Sequence, residues 1–264
     1  MDLMNTDTRE RFQRIVACAN TIRRELHALA DQHKGRVHFR PTDSGITMVG
    51  LLPDRPQRGK GGYSAQKLLE QFPAEFDKHC VQVSHDRPTP EKRLQSYLIS
   101  AAYQNDRRLD ILEPPSNDAH PDDGLYFITD ELASIDEDGT KVVCDLLALR
   151  RSRGRHIPVL IELKSTRAMK ELVRQLETYS RFIEAYPLEY EQVYSAVLGE
   201  DIKFDDPVVV EKWLVWPSAD NGQKESLGPD PRETELANKD IRVVQCVDSF
   251  RFHVGRTVQE AKTS

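Results

Sequence analysis

Between positions 8 and 33 apolar residues recur at alternating steps of three and four, at Phe12, Ile15, Ala19, Ile22, Leu26 and Leu29. That spacing predicts an amphipathic helix. A helix packed on its own chain is the simpler reading, with a homodimer or protein-partner contact as the alternative, since a coiled coil needs about three heptads to be claimed. Val37-His38-Phe39 and Ile46-Thr47-Met48-Val49, separated by the turn-forming Pro41-Thr42-Asp43-Ser44-Gly45, predict a hairpin. Gly59-Lys60-Gly61-Gly62 lacks the spacing of a phosphate-binding Walker loop and reads as a surface loop. A second helix is expected from 64 to 72, broken near Pro73, which cannot donate to the helical ladder.

Thr89-Pro90-Glu91 is a well-marked helix start, with a capping hydroxyl, proline in the first turn and an acid at the positive end of the dipole. Its helix should run to Asn105 over a buried stripe of Leu94, Tyr97, Leu98, Ala101 and Ala102, and the same phase turns Glu91 inward. Three strand-like runs follow, at 125–135, 141–149 and 157–164. Asp136-Glu137-Asp138-Gly139 joins the first two and Arg151-Ser152-Arg153-Gly154-Arg155 the last two, which makes an antiparallel meander. Met169, Leu172, Val173, Leu176, Phe182 and Ile183 form the apolar face of another helix, capped by Ser165 or Thr166 and reaching about position 185. Two more strands are expected at 212–216 and 241–247, with the polar stretch 218–239 between them read as a loop and the tail after Gly255 as frayed. The whole is an α/β (α+β) chain: helix, three-strand meander, helix, strand, strand in one mixed sheet, preceded by a helical and hairpin extension. The expected division is 1–86 for that extension, 87–256 for the main domain and 257–264 for the tail.

Composition adds exclusions. The 264 residues carry 37 Lys+Arg against 43 Asp+Glu, a net charge of −6, so the chain as a whole does not attract nucleic acid. Cys18, Cys80, Cys144 and Cys246 are too dispersed for a zinc knot or a disulfide framework and read as reduced thiols of a cytoplasmic protein. His27, His33, His38, His79, His85, His120, His156 and His253 are equally scattered, which argues against a zinc hydrolase. No signal peptide and no membrane span is expected.

Within the predicted core, charge falls where it is costly. Asp145 interrupts the second strand, and Glu162 and Lys164, two apart on the third, share a face opposite Ile161 and Leu163. Ionised groups on buried strands need a partner or a metal. Gln175 and Tyr179 lie four apart on one flank of the next helix. A salt-bridged strand pair is the bland alternative to a catalytic site. Around these positions in sequence are Arg150, Arg151, Arg153, Arg155, Arg167, Lys170 and Arg174, read as a basic rim for a nucleic-acid backbone or, more plainly, as solvated side chains.

The order of elements and these residues together resemble the PD-(D/E)XK nuclease superfamily, of restriction-endonuclease-like fold, and within it the RecB-like members. The resemblance covers about Glu91 to Val247. Asp145 stands at the family's strand Asp, Glu162-Leu163-Lys164 at its Glu/Asp-x-Lys, and Gln175-Leu176-Glu177-Thr178-Tyr179 at the RecB-like Gln-x-x-x-Tyr; Cys144 replaces the proline that often precedes the Asp. The resemblance implies a nuclease that hydrolyses phosphodiester bonds, most naturally in DNA, in repair, restriction or mobile-element defence. It implies catalytic roles for Asp145, Glu162, Lys164, Gln175 and Tyr179, and magnesium, with manganese as substitute, held by Asp145, Glu162 and the carbonyl of Leu163, with Glu91 as a further ligand. A non-catalytic nucleic-acid-binding or assembly module of the same fold is the alternative function.

Overall fold

The computed structural model describes residues 3–51, 61–81, 89–115, 120–135, 141–164, 172–217, 231–247 and 251–254. The Gly59-Lys60 part of the glycine loop, the Asp136–Gly139 turn, both candidate caps at Ser165 and Thr166 and the tail lie outside them.

Helix α1 spans Leu3–Thr21 and passes through a π-helical turn at Ile22–Leu26 into α2, His27–Gln32. Its apolar stripe is consumed inside the chain. Phe12 and Ile15 join the cluster on one face of the main sheet, while Ile22 and Leu26 pack with the hairpin of β1 (Val37–Thr42) and β2 (Gly45–Gly50). That hairpin is antiparallel in register from Val37–Gly50 to Thr42–Gly45. Helix α3 runs Ala65–Phe76, capped by the Ser64 hydroxyl, which accepts from the Lys67 N–H at 3.2 Å. The expected break at Pro73 does not occur. An interior proline costs about 3 kcal/mol, but it lies on the exposed side here, while Phe72 and Phe76 carry the apolar face onward against His33. Burying such rings returns about 1.5–3 kcal/mol each.

Helix α4, Pro90–Gln104, begins as expected, with Thr89 Oγ1 accepting from the Lys92 N–H at 3.3 Å. Its buried surface is wider than the predicted stripe. Gln95, Ser96, Ile99, Ser100 and Tyr103 are buried as well, whereas Tyr97 and Ala101 are only half-buried. The reason is that α4 is covered from two sides: the sheet lies on one, and on the other Ser100 donates to the Gly35 carbonyl at 2.7 Å and Tyr103 meets His38 of the hairpin.

The main sheet has six strands in sequence order: β3 (Gly124–Ile135), β4 (Lys141–Ser152), β5 (Arg155–Leu163), β6 (Glu211–Pro217), β7 (Ile241–Val247) and β8 (Arg251–Val254). β3, β4 and β5 form the antiparallel meander, β5, β6 and β7 run parallel, and β8 returns antiparallel. Alternation along the strands separates two cores. Leu147, Leu149, Leu160, Leu214 and Trp216 face α5 (Leu172–Ala185), α6 (Pro187–Leu198) and α1; Leu146, Ala148, Val159, Ile161 and Trp213 face α4. Helix α6 was not anticipated, although Pro187 at its first turn and the left-handed Gly199 at its end (φ 79°) are ordinary start and stop signals. The supposed 218–239 loop contains α7, Pro231–Ala237, anchored on the core by the buried Leu236. Strand β8, at four residues, is too short to show a periodicity. Among the described residues no helix is long and apolar enough to cross a membrane, and all four cysteines are free thiols.

Candidate active site

The β4–β5 ladder stops at the pair Leu146–Ile161, so Asp145 and Glu162 occupy the next opposed positions, beyond the end of the backbone pairing. Instead, Asp145 Oδ2 accepts the Leu163 N–H at 2.9 Å, and Lys164 Nζ donates to Glu162 Oε1 at 2.6 Å. Ile161 and Leu163 point to the opposite, apolar side. The three charges expected to meet do meet.

Their electrostatics are strained. Glu162 is 2% exposed, and its Oε2 is buried without a hydrogen-bond partner. Burial first, and then the Asp145 charge, push the Glu162 carboxyl up to about 7, despite Lys164. Burial also raises Asp145, against the Leu163 N–H and the cations Lys92 and Lys164, while Glu91 adds a negative field. For Lys164 burial acts downward, but Glu162 and Asp145 outweigh it and raise the ammonium above its usual value. Burial is the first cause of both shifts, and Glu162 Oε2 has no hydrogen-bond donor.

These groups open into a cleft of about 710 Å³. Asp145, Glu162, Lys164, Val143 and Gln175 line it together with the β1–β2 turn and Arg11 of α1. Gln175 donates through Nε2 to the Val143 carbonyl at 2.7 Å, which fixes α5 to the strand next to Asp145. Tyr179, by contrast, does not line the cleft. One helical turn farther along, it is 1% exposed among Phe182 and Tyr190, and its hydroxyl donates to the Leu132 carbonyl at 3.0 Å. It tethers β3 to α5. Glu91 is half-buried at the start of α4, within electrostatic reach of Asp145 and Lys164.

Three members of the expected basic rim, Arg151, Arg153 and Arg155, are not around the site. Arg151, Arg153 and Arg155 surround the β4–β5 turn, at the opposite end of strands on which seven residues, about 23 Å at 3.3 Å each, separate Arg155 from Glu162. There, Arg150 bonds Glu211, Arg151 bonds Glu200, and Arg155 bonds Asp205 at 2.6 Å. Arg153 and Gly154 are both left-handed (φ 51° and 77°), as a tight hairpin turn requires. Arg174 is exposed on α5 beside Gln175, whereas Arg167 and Lys170 lie outside the described residues.

Cations that sequence reasoning missed do line the cleft: Arg11, Arg40, Lys92 and Lys141. Arg40 donates to both oxygens of Asp130, at 2.7 and 2.5 Å, and to Glu131 at 2.7 Å; Lys92 bonds Glu131 and, at 2.7 Å, Gln95 Oε1. Between the paired positions Asp130–Leu146 and Leu132–Cys144 lie Glu131 and Asp145, and Glu131 adopts a left-handed φ of 45° that interrupts the ladder there. Gln95 closes the arrangement: its Nε2 donates to Asp130 Oδ2 at 3.1 Å and to the Asp145 carbonyl at 3.2 Å. Lys92 could have been noticed as the neighbour of Glu91 at the helix start. Arg40 offered no such signal, because its partners are 90 and 91 positions away.

No family model matches the chain, and no curated protein matches it. Among solved structures, a chain in a structure of an EndoMS–dsDNA2 complex is similar, with 14% identity and a TM-score of 0.30 over 80% of this chain and 64% of that one. This chain thus spans less than two thirds of that chain's length, and likeness at this level carries no functional argument.

Proposed function

We propose that the protein is a metal-dependent phosphodiester hydrolase acting on DNA. The observation that carries this reading is the meeting of Asp145, Glu162 and Lys164 at the mouth of a polar cleft, with Glu162 Oε2 buried and unpartnered. A buried carboxylate oxygen without a donor is costly, and a cation is what such an oxygen lacks. The donor set suits magnesium, a hard cation that takes carboxylate and carbonyl oxygens while keeping several waters. Among the described residues no three His, Cys, Asp or Glu side chains close on a common point. The protein's share would therefore be Asp145, Glu162 and the Leu163 carbonyl, with Glu91 serving a second ion. A divalent cation bound there neutralises phosphoryl charge and makes a water more acidic.

The chain's own residues do the rest. Lys164, fixed by Glu162, holds a positive charge beside the reacting phosphate and orients the attacking water. The Leu163 N–H fixes Oδ2 of Asp145, a residue that lines the cleft. Gln175 and Tyr179 act through the main chain of β4 and β3, keeping the carboxylates in register. The test is incubation of purified protein with linear, circular and single-stranded DNA and with RNA, in magnesium, manganese or EDTA, beside Asp145→Ala and Lys164→Ala. Cleavage that needs the metal and vanishes in both variants is expected. Metal-independent cleavage, or cleavage undiminished in both, would sink the reading, and DNA binding without any cleavage would favour a non-catalytic module.

A further inference from the structure

We infer that Arg11 of α1, Arg40 of the hairpin and Lys92 of α4, which line the cleft with the carboxylates, form a cationic wall that grips the backbone phosphates of the DNA strand being cut, so that the N-terminal hairpin is part of the substrate site. This rests on the function proposed above.

Among the described residues five cations line the cleft, Arg11, Arg40, Lys92, Lys141 and Lys164, against four carboxylates, Asp43, Glu131, Asp145 and Glu162. Two of those carboxylates are the ones a divalent cation would neutralise. The loaded cleft is then positive, in a chain whose net charge is −6. Local sign of this kind is what draws an anionic polymer into a cleft on an acidic protein.

The wall is also held in place before any ligand arrives. Arg40 lines the cleft and reaches Asp130, which is 1% exposed; three of its five N–H groups bond Asp130 and Glu131 among the described residues. Lys92 has two of its three N–H groups on Gln95 and Glu131. Arg11 Nε donates to Asp43 at 2.7 Å on the hairpin turn, and its Nη2 is 3.4 Å from the Ala133 carbonyl. Side chains already immobilised lose little entropy on meeting a phosphate. Asp43 is the only cleft carboxylate tied to Arg11 among the described residues, and it competes with a phosphate for that guanidinium.

Opposite-sign variants test this. Binding of end-labelled single-stranded and duplex oligonucleotides is followed by fluorescence anisotropy in calcium, over a series of salt concentrations. Arg11→Gln and Lys92→Gln should each weaken binding by about three- to tenfold and lower the slope of log K against log salt by about 0.7–0.9, the loss of one phosphate contact. Asp43→Asn should tighten binding, an outcome that a merely structural Arg11–Asp43 pair would not produce. Arg153→Gln, at the far end of the sheet, should bind like wild type. Circular dichroism establishes that each variant is folded. Unchanged affinity and slope in both cation variants, or weaker binding in Asp43→Asn, would overturn the inference, as would a wild-type protein that does not bind DNA. A wild type that binds but never cleaves in magnesium overturns the catalytic reading alone, because the variants still report on the wall.

Discussion

Asp130 on β3 and Glu162 on β5 are both buried carboxylates, 1% and 2% exposed, in the same sheet, and their surroundings differ completely. Asp130 receives Arg40 on both oxygens, His38 Nε2 at 2.9 Å and Gln95 at 3.1 Å. Burial alone would raise its pKa, but Arg40 and His38 overcome burial and hold it far below the usual carboxylate range. Burial lowers the His38 pKa, and its ring bridges Asp130 at Nε2 and the Tyr103 hydroxyl at Nδ1, 2.8 Å away. Glu162 has one lysine, a carboxylate for a neighbour, and an oxygen bonded to nothing. A buried acid surrounded by donors is a fastening, whereas one left short of them is arranged for something not part of the chain.

The largest effect should come from the starved cluster. Asp145→Asn keeps the shape and removes a charge, and should lower cleavage by about 10³-fold or more, on the order of 4 kcal/mol of transition-state stabilisation. Stability should change little. Single-turnover kinetics with urea unfolding beside them separates the two, and a variant equally inactive because it is unfolded would break the contrast.

The saturated cluster should show the reverse. Asp130→Ala strips Arg40, His38 and Gln95 of their common acceptor, and breaking a buried ion pair costs about 3–5 kcal/mol. The pH dependence carries the same sign. Because the folded pKa of Asp130 is depressed, its contribution is fully present above about 4, its unfolded value, and is lost as pH falls toward the lower folded value. Urea midpoints across the acid range should fall for wild type and flatten for Asp130→Asn. A wild-type curve with no acid limb would remove the distinction between the clusters.

Glu162→Gln should stabilise the metal-free protein, a gain uncommon for a buried charged position. The folded pKa of about 7 lies above the unfolded value of 4.5, so ionisation of Glu162 opposes folding increasingly as pH rises from about 4.5 to about 7 and levels off above it. The amide should recover about 1–2 kcal/mol at pH 8 and almost nothing at pH 4, read from thermal melts in EDTA. Equal melts for wild type and variant at pH 8 would mean that Glu162 is better satisfied than its orphaned oxygen indicates.

Much of this contrast was written in local pattern, and half of it was not. Alternation along 141–149 and 157–164 gave the meander, and the side-chain period of two placed Glu162 and Lys164 on one face. Opposition of Asp145 to Glu162 then followed from a short turn. Asp130 was passed over because its partners, Arg40 and His38, lie 90 and 92 residues upstream, and no periodicity links a hairpin to a strand that far away. Helix α7 is hidden by polarity, since from Arg232 to Ala237 only Leu236 is buried. Arg151, Arg153 and Arg155 fall outside the site for a simpler reason: closeness in sequence to a strand does not say which of its ends a residue is near.

That distance from the site yields the smallest predicted effect. Arg155 is more than half exposed and bonded to Asp205, Arg151 bonds Glu200 and stacks 4.4 Å over the Tyr126 ring, and both sit at the end of β4–β5 remote from the cleft. Exposed ion pairs contribute about 0–1 kcal/mol. Arg155→Ala should therefore shift stability by less than about 0.5 kcal/mol and leave both DNA affinity and its salt slope as in wild type. Arg151→Ala should cost somewhat more stability, through the lost cation–π contact, with the same indifference to DNA. If Arg155→Ala instead lowers the salt slope by a full phosphate contact, the strand must run the length of the sheet, and the two ends of β4–β5 would belong to a single binding surface.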